Sequence, residues 1–369
     1  MSRSTARRRD HRLMIVFALS ASVALVLAGW QVVVGQQTTA EAYTQTSVVP
    51  HSTDSVSIAI AGDTMFSDGA AKLIASQGVE ATLAGVAGMF SGADAAVVNV
   101  EAPITALTEP LNPGAQYSYS SPPEAAAALA GIGVTALQLG NNHTMDRGAE
   151  GLTDTITHAN QAGLSTLGAG SDTSEASKPL LVHAGQLTVA LVSFGEDYGS
   201  AKRATTTSPG MIVLSDASIR YAERVSRQAG ADRVIALVHW GDNYADVDAS
   251  QTYWSSQLVA AGYDAVIGSG PHVLHPIEVI DGVPVVYSVG NFVFGSPGRF
   301  AGYGRVGLGA VATLTFDLTG GTLQMQCVRT DNAVVNYVPR ACNDEESAWA
   351  ASDLQGNLDW QGSIGTLRF

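Results

Sequence analysis

The sequence has 369 residues, of which 46% are hydrophobic, so it can fill one large domain or two ordinary ones and is not globally disordered. Residues 1–12 have a net charge of +4, and because the whole chain has a net charge of −14, the remaining residues have a net charge of −18. This acidic remainder offers no basic footprint, which argues against nucleic acid as a partner and against electrostatic capture of a polyanion. An anionic substrate would therefore need local positive charge, such as a metal ion.

The N-terminus has the pattern of a membrane-targeting segment. Residues 13–35 are an apolar run of about the length needed to span a bilayer, and the basic residues 1–12 before it predict a cytoplasmic end. A cleaved signal sequence is the alternative, because Ala40-Glu41-Ala42 has the small-x-small form of a cleavage site. Residues 36–54 are polar and predict a linker. In either case we expect most of the chain outside the cytoplasmic membrane, as a single-pass membrane protein or a secreted one.

From residue 55 onward, short apolar runs alternate with helix-like segments, which predicts an α/β domain over residues 55–308. Ser121-Pro-Pro-Glu124 has the form of a capping box at the start of one helix. Residues 309–369 are predicted to complete the domain with further β-strands and to end in a tail. The predicted strands are 56–61, 95–100, 134–139, 188–194, 234–238, 265–267 and 283–289, and the predicted helices are 121–131, 148–162, 215–229 and 250–261.

The sequence contains two cysteines, Cys327 and Cys342. In an oxidising compartment they are close enough along the chain to form a disulfide, and two unpaired thiols are the alternative. Neither cysteine lies in a catalytic motif.

Polar side chains follow each predicted strand. Ligands of α/β proteins bind at the carboxyl ends of strands, so we expect these side chains to converge at one edge of the sheet. One such residue alone is explained by a helix cap or a turn, but three histidines at converging ends indicate metal ligands or acid–base groups. The residues are Asp63, Asn99, Glu101, Asn141, Asn142, His143, Asp146, Glu196, Asp197, His239, His272, His275 and Asn291.

Carboxylate, amide and imidazole ligands together suit Mn²⁺, Fe²⁺ or Zn²⁺. Two such ions about 4 Å apart can bridge a phosphoryl group and activate water for in-line attack, and a nearby unligated histidine can protonate the leaving oxygen. The sequence has no G-x-S-x-G elbow and no P-loop.

Several motifs together resemble the CapA-type family of bacterial capsule or poly-γ-glutamate synthesis proteins, a branch of the calcineurin-like metallophosphoesterases. They occur in family order between residues 56 and 296. The motifs are IAIAGDTMF (58–66), VVNVEAPIT (97–105), LGNNHTMDRGAEGL (139–152), ALVHWGDNY (236–244), DAVIGSGPHVLHPIEV (264–279) and VPVVYSVGNFVFG (283–295).

The resemblance implies a metallophosphoesterase-like α/β/β/α four-layer sandwich that holds one or two divalent ions at the strand ends. Its implied acid–base residue is His143. The implied metal ligands are Asp63, Glu101, Asn142, His239 and His272, and the implied supporting residues are Asn99, Asn141, Asp146, His275 and Asn291.

The chain departs from the family pattern at three places. Asp63-Thr64-Met65 stands where related phosphoesterases have Asp-x-His, and residues 269 and 270 are not histidines. In the family a carboxylate often follows His-Trp-Gly, and in this chain, with Asp242-Asn243, the carboxylate is displaced by one position.

The family implies a metal-dependent hydrolase or transferase that acts on an anionic capsule or cell-envelope polymer. A non-catalytic accessory protein that binds or anchors nascent polymer beside a membrane synthase is the second hypothesis. A purely structural or adhesive ectodomain is the third, and it leaves the polar strand ends unexplained.

Overall fold

The structure is a computed structural model that describes residues 55–369. The predicted cytoplasmic segment, the anchor or signal sequence, and the linker lie outside the described residues. Within the described range, none of the helices combines the length and apolar character needed to cross a bilayer.

The described residues form strands and helices in alternation, which confirms the predicted α/β class. The strands are β1 (Ser55–Met65), β2 (Ala95–Val100), β3 (Ala136–Gln138), β4 (Ser165–Leu167), β5 (Ala169–Gly170), β6 (Leu180–Ala184), β7 (Leu187–Gly195), β8 (Gly210–Met211), β9 (Arg233–His239), β10 (Ala265–Ser269), β11 (Ile277–Ile280), β12 (Val283–Val286), β13 (Asn291–Phe294), β14 (Leu308–Asp317), β15 (Gly321–Arg329), β16 (Arg340–Ala341), β17 (Asp359–Gln361) and β18 (Ile364–Arg368). The α-helices are α1 (Ala71–Gln77), α2 (Glu80–Leu83), α3 (Ala125–Gly131), α4 (Gly148–Gln161), α5 (Thr173–Ala176), α6 (Asp216–Gln228), α7 (Ala249–Ala260), α8 (Asn332–Val335) and α9 (Asp344–Leu354), with 3₁₀ helices at Asp68–Ala70 and Phe300–Tyr303.

Two large sheets organise the chain. The first sheet has the order β17-β18-β15-β14-β1-β2-β3-β4, with β13 beside the end of β1 and β16 beside β15. The second sheet has the order β11-β12-β10-β9-β7-β6. Strands β1 to β4 run parallel, and so do β7, β9, β10 and β12, so both sheets contain a parallel core.

The sheets pack face to face, with helices on both outer faces. A core cluster joins residues of the first sheet, such as Ile58, to residues of the second, such as Ile235. A second cluster packs α2, α3 and α4 on the first sheet, for example through Leu129. A third packs α6 and α7 on the second sheet, for example through Leu258. The result is four layers, in the order helix, sheet, sheet, helix.

The expectation that all polar strand ends share one sheet is wrong. The ends of β1, β2 and β3 belong to the first sheet, and those of β7, β9 and β10 belong to the second. A buried strand is a continuous apolar run in either sheet, so its sequence does not say which neighbours it pairs with.

The predicted strand 283–289 is shorter in the structure. Residues Val283–Val286 pair in the second sheet, and a separate strand that was not predicted, Asn291–Phe294, pairs with β1 in the first. Gly290, at φ +65°, lies in the segment that connects them. A chain that crosses between two buried layers stays apolar, so hydrophobicity does not mark the crossing.

The capping box predicted at Ser121 is wrong as well. The helix begins at Ala125, and the hydroxyl of Ser121 accepts a hydrogen bond from the backbone N–H of Phe66, at 3.0 Å. The hydroxyl therefore joins two loops instead of capping its own helix.

The C-terminal residues complete the first sheet, because β14 pairs antiparallel with β1, and β15 and β18 extend the sheet further. A disulfide joins Cys327 on β15 to Cys342, with 5.4 Å between the Cα atoms. It ties β15 to the segment that leads into α9.

Candidate metal centre

The two carboxylates of the centre lie where β1 and β2 end. Asp63 and Glu101 are 0% and 1% exposed. The backbone N–H of Asp63 donates to the carbonyl of Gly290, at 3.1 Å. A Cβ at Gly62 would lie 1.8 Å from that carbonyl oxygen, so only glycine permits this close approach of two backbones.

The second sheet supplies two imidazoles to the same place. His239 ends β9, and its Nε2 lies 3.6 Å from Oε1 of Glu101 while its Nδ1 lies 3.7 Å from Oδ1 of Asp63. One ligand atom from each of Asp63, Glu101 and His239 lies within 4.8 Å of the others. These three residues therefore form a compact group that could hold one divalent ion.

His272 follows β10 in the left-handed backbone region, at φ +63°. Its Nδ1 lies 3.1 Å from Oδ2 of Asp63, 3.9 Å from Oε2 of Glu101 and 2.9 Å from Oδ1 of Asn291. Asn291 is paired with Asp63 across β1 and β13. The backbone strain at a non-glycine residue with positive φ is of the kind found at ligand-binding positions.

Two buried oxygens of the implied ligand residues lack a hydrogen-bond partner in the described part of the chain: Oε2 of Glu101 and Oδ1 of Asn142. Buried polar atoms are normally paired, so an unpaired carboxylate oxygen within a group of carboxylates and imidazoles fits a bound cation. Carboxylate, amide and imidazole groups together are a donor set that suits Mn²⁺, Fe²⁺ or Zn²⁺. The residues present therefore fit a divalent metal.

A chain of amides positions the ligands. Nδ2 of Asn99 donates to Oδ1 of Asp63 at 2.8 Å and lies 3.0 Å from Nδ1 of His239. Nδ2 of Asn141 in turn donates to Oδ1 of Asn99 at 3.0 Å, and to the carbonyl of Val100 at 2.8 Å. Such supporting hydrogen bonds fix the orientation of the groups that would contact the metal.

His143 lies at the rim of the centre. Its Nδ1 is 2.6 Å from Oδ2 of Asp146, and its Nε2 is 4.0 Å from Oε1 of Glu101. The ring packs on Tyr119, with 4.8 Å between ring centroids, and 13% of the side chain is exposed. Asp146 thus holds the imidazole so that Nε2 faces the centre, which suits transfer of a proton at that nitrogen.

The electrostatics differ between the two carboxylates. Burial raises the pKa of Glu101 well above its usual value, and the charges of Asp63 and Asp146 raise it further. Burial also raises the pKa of Asp63, but the interactions with His272, His239 and Asn99 together outweigh that effect and leave the pKa below its usual value. Burial lowers the pKa of His239 to about 4, so its imidazole is neutral at pH 7 and can offer a lone pair to a metal.

Some predicted strand-end residues do not join the centre. His275 is close to His272 along the chain, but its Nε2 lies 2.9 Å from the carbonyl oxygen of Ala245. Glu196 accepts from the backbone N–H of Gly241, and Asp197 is exposed and pairs with Arg203. Asp242 is also exposed. These residues lie in loops or at the surface, away from the metal centre.

Sequence reasoning missed Lys202 and Tyr119. Nζ of Lys202 donates to the backbone carbonyl of Asn142, and Tyr119 packs on His143. Both residues lie in loops outside the strand-end pattern, and nothing in their local sequence marks them.

A family model described as "Bacterial capsule synthesis protein PGA_cap" matches residues 57–296, which is more than half of the chain. The chain belongs to the PGA_cap family. The resemblance inferred from the sequence motifs is thereby confirmed.

Relatives of this PGA_cap protein include PGA biosynthesis protein CapA of Bacillus subtilis strain 168, at 30% identity over 249 residues, covering 67% of this chain and 65% of that protein. Capsule biosynthesis protein CapA of Bacillus anthracis is 27% identical over 299 residues, covering 79% and 70%. A probable polyglutamine synthesis accessory protein of Mycobacterium tuberculosis H37Rv is 32% identical over 213 residues, covering 54% and 55%. The matched region is thus just under two thirds of the Bacillus subtilis protein and about half of the mycobacterial one.

Among solved structures, the PGA_cap protein is similar to NAD nucleotidase of Haemophilus influenzae, with a TM-score of 0.42 and 13% identity over 83% of this chain and 56% of that one. It is also similar to a putative 5′-nucleotidase of Staphylococcus aureus, with a TM-score of 0.45 and 12% identity over 83% and 59%. At TM-scores below 0.5, these similarities carry no functional argument.

Proposed function

We propose that this PGA_cap protein is a metal-dependent hydrolase or transferase of the metallophosphoesterase type, which acts on an anionic capsule or cell-envelope polymer such as poly-γ-glutamate. The observation that carries the proposal is the unpaired Oε2 of Glu101, buried among Asp63, His239 and His272. A protein that did not bind a cation would gain nothing from an unpaired carboxyl group at this depth.

Five residues would hold the metal: Asp63, Glu101, Asn142, His239 and His272. When bound, a divalent ion polarises an acyl or phosphoryl oxygen and lowers the pKa of water. Asn99 and Asn291 orient the ligand side chains through their hydrogen bonds. His143, held by Asp146, moves a proton at Nε2 to or from the reacting group.

The substrate class follows from charge and from the relatives. The names of the Bacillus relatives refer to PGA and capsule biosynthesis. Because residues 13–369 have a net charge of −18, a polyanion needs a local cation at the site, and the metal supplies it. We place this activity outside the cytoplasmic membrane, with residues 13–35 as anchor or cleaved signal and a membrane synthase as the partner.

The test is metal content. Full-length protein, purified without chelator, is analysed by mass spectrometry beside Asp63→Ala, His272→Ala and the control Asp242→Ala, which removes an exposed carboxylate. We expect near-stoichiometric Mn, Fe or Zn in the wild type and the control, and none in the other two variants, with circular dichroism unchanged throughout. A well-folded wild type that stays empty after soaking in each ion would refute the enzyme proposal.

A non-catalytic accessory role is the second candidate, and two observations favour it. Ser269 and Gly270 stand at positions where the family often has imidazoles, which reduces the ligand set. The mycobacterial relatives are named as accessory proteins. Polymer binding that survives both metal removal and His143→Ala, without any turnover of polymer, would favour this role over the enzyme.

A further inference from the structure

Ring contacts link five aromatic side chains to the histidines of the metal centre. In the order of these contacts they are Tyr117, Tyr119, Phe294, Tyr244 and Tyr303, here called the aromatic strip, and the ring of His272 lies between Phe294 and Tyr244. Tyr119 contacts the ring of His143, and Phe294 and Tyr244 both contact the ring of His272, with centroid distances of 4.8, 4.8 and 5.6 Å.

The strip has the same construction at both ends. Tyr117 stacks on Tyr119 with 6.2 Å between centroids and a 19° interplanar angle, and Tyr303 stacks on Tyr244 with 4.5 Å and 18°. The inner ring of each pair is partly or fully buried beside a histidine of the centre, whereas the outer rings are 38% and 57% exposed. Exposed aromatic faces that lead to a buried polar centre are typical of a binding surface.

A cation lies at one end of the strip. The guanidinium of Arg299 lies over the ring of Tyr117 at 4.7 Å and donates to its hydroxyl at 2.6 Å. Within residues 55–369, Arg299 forms no ion pair with a carboxylate. Most other arginines in that range do. The paired ones are Arg203, Arg220, Arg227, Arg233, Arg305, Arg329 and Arg340.

In so acidic a protein, an arginine held in place without a carboxylate is available for a ligand's acid group. The planar fork of a guanidinium matches a carboxylate in two hydrogen bonds. The exposed ring of Tyr303 in turn offers a flat surface on which a planar amide group can stack, and a polyphosphate has no such groups. The combination suits a polymer that has both carboxylates and amides.

We propose that the aromatic strip and Arg299 form a binding subsite for an amide-linked polycarboxylate chain, which lies along the tyrosine rings and reaches the metal centre. This proposal rests on the proposed function for the identity of the polymer, but it does not depend on catalysis or on bound metal. Arg299 pairs with one carboxylate of the chain, and Tyr303, which ends the 3₁₀ helix that Arg299 precedes, stacks on an amide.

The test is isothermal titration calorimetry of a decamer of γ-linked glutamate into the full-length protein in detergent, with chelator present and again with metal restored. The structure offers two matched controls. Arg224 lies over Tyr221 at 5.3 Å, and Tyr253 is 50% exposed and packs on Trp254, so each repeats the chemistry of a tested residue away from the site.

We expect Arg299→Ala to weaken binding roughly tenfold or more and Tyr303→Ala roughly threefold, with or without metal. Arg224→Ala and Tyr253→Ala should bind as the wild type does. Arg299→Lys should recover only part of the affinity, because an ammonium keeps the charge and loses the planar fork.

Three results would overturn the proposal: no decamer binding by the wild type, equal binding by Arg299→Ala and Arg224→Ala, or equally tight, Arg299-dependent binding of a polyphosphate of the same charge. Metal content separates this outcome from the earlier proposal. A wild type that retains metal while Arg299→Ala binds the decamer normally would refute the subsite alone. A metal-free wild type with Arg299-dependent binding would refute the enzyme alone.

Discussion

Two regions of the molecule each contain a buried glutamate, and the hydrogen bonding of the two carboxyl groups is opposite. At the metal centre, Oε2 of Glu101 has no hydrogen-bond partner in the described range, and burial raises the pKa of the carboxyl well above its usual value. In the C-terminal ion cluster, formed by Arg329, Arg340 and Glu346, both oxygens of Glu346 accept hydrogen bonds from Arg340, at 2.7 and 2.9 Å.

The surroundings of Glu346 satisfy it completely. It caps the start of α9 by accepting from the backbone N–H of Asn343, and Arg329 lies 3.6 Å away. The hydrogen bond from Arg340 holds the pKa of Glu346 below its usual value. A buried carboxylate with such partners stabilises the fold. Without them, burial disfavours the charged form of the carboxyl group unless a cation binds to it. The contrast distinguishes a structural acid from a ligand.

Glu101→Gln gives the largest expected effect. At pH 7 and without metal, we expect the free energy of unfolding to rise by roughly 1 to 4 kcal/mol. The reason is that a neutral amide replaces an ionisable carboxyl group that is buried without a partner. Chemical denaturation in chelator measures this change. The same variant should lose the metal found in the wild type, so stability and metal binding move in opposite directions. A destabilised Glu101→Gln protein would contradict the contrast between the two regions.

Glu346→Ala should have the opposite sign. We expect a loss of about 2 kcal/mol, because the buried Arg329 keeps only Asp331 as a carboxylate partner and Arg340 loses two charge-assisted hydrogen bonds. Solvent limits the strength of this ion pair, because 43% of the Arg340 side chain is exposed. Urea denaturation beside Glu345→Ala, an exposed neighbour in the same helical turn, is the measurement. Equal effects of the two substitutions would show that the cluster contributes nothing.

The difference between these regions was only partly predictable from the sequence. Strand bodies follow directly from apolar runs, and the predicted run 95–100 coincides with β2. The residues at the ends of those runs include Glu101, whose Oε2 is unpaired, and the three residues around its carboxyl group: Asp63, His239 and His272. Burial of a strand on both faces demands apolar residues along its length, so polar residues can gather only at its ends.

The remaining features depend on contacts between distant parts of the chain. Arg299 and Tyr117 are 182 residues apart, and Tyr119 reaches His143 from a loop without regular structure. The sequence after Ser121 has the pattern of a helix cap, but in the structure its hydroxyl accepts a hydrogen bond from the backbone N–H of Phe66. Local patterns therefore locate the strand ends and leave open which loops fold over them.

The pH dependence of the free energy of unfolding distinguishes the two glutamates directly. The folded-state pKa of Glu346 is depressed, so its stabilising contribution is present above the unfolded pKa of about 4.5 and is lost as pH falls through the lower folded value. The folded-state pKa of Glu101 is raised, so stability of the metal-free protein is greatest below about 4.5 and declines as pH rises from there toward the folded value. One proton limits each slope to about 1.4 kcal/mol per pH unit.

Denaturation of metal-free wild type and Glu101→Gln from pH 4 to pH 8 measures the second slope. The stability advantage of Glu101→Gln should be smallest at the acid end and should grow with pH, because the raised folded-state pKa makes the carboxyl of Glu101 harder to ionise in the folded wild type than in the unfolded one. Saturating metal should remove this growth, since a bound cation makes the charged carboxylate the favoured folded form. An advantage that stays constant across this range would mean that Glu101 is ionised in the metal-free fold and already has a partner. The unpaired Oε2 would then no longer indicate a cation site.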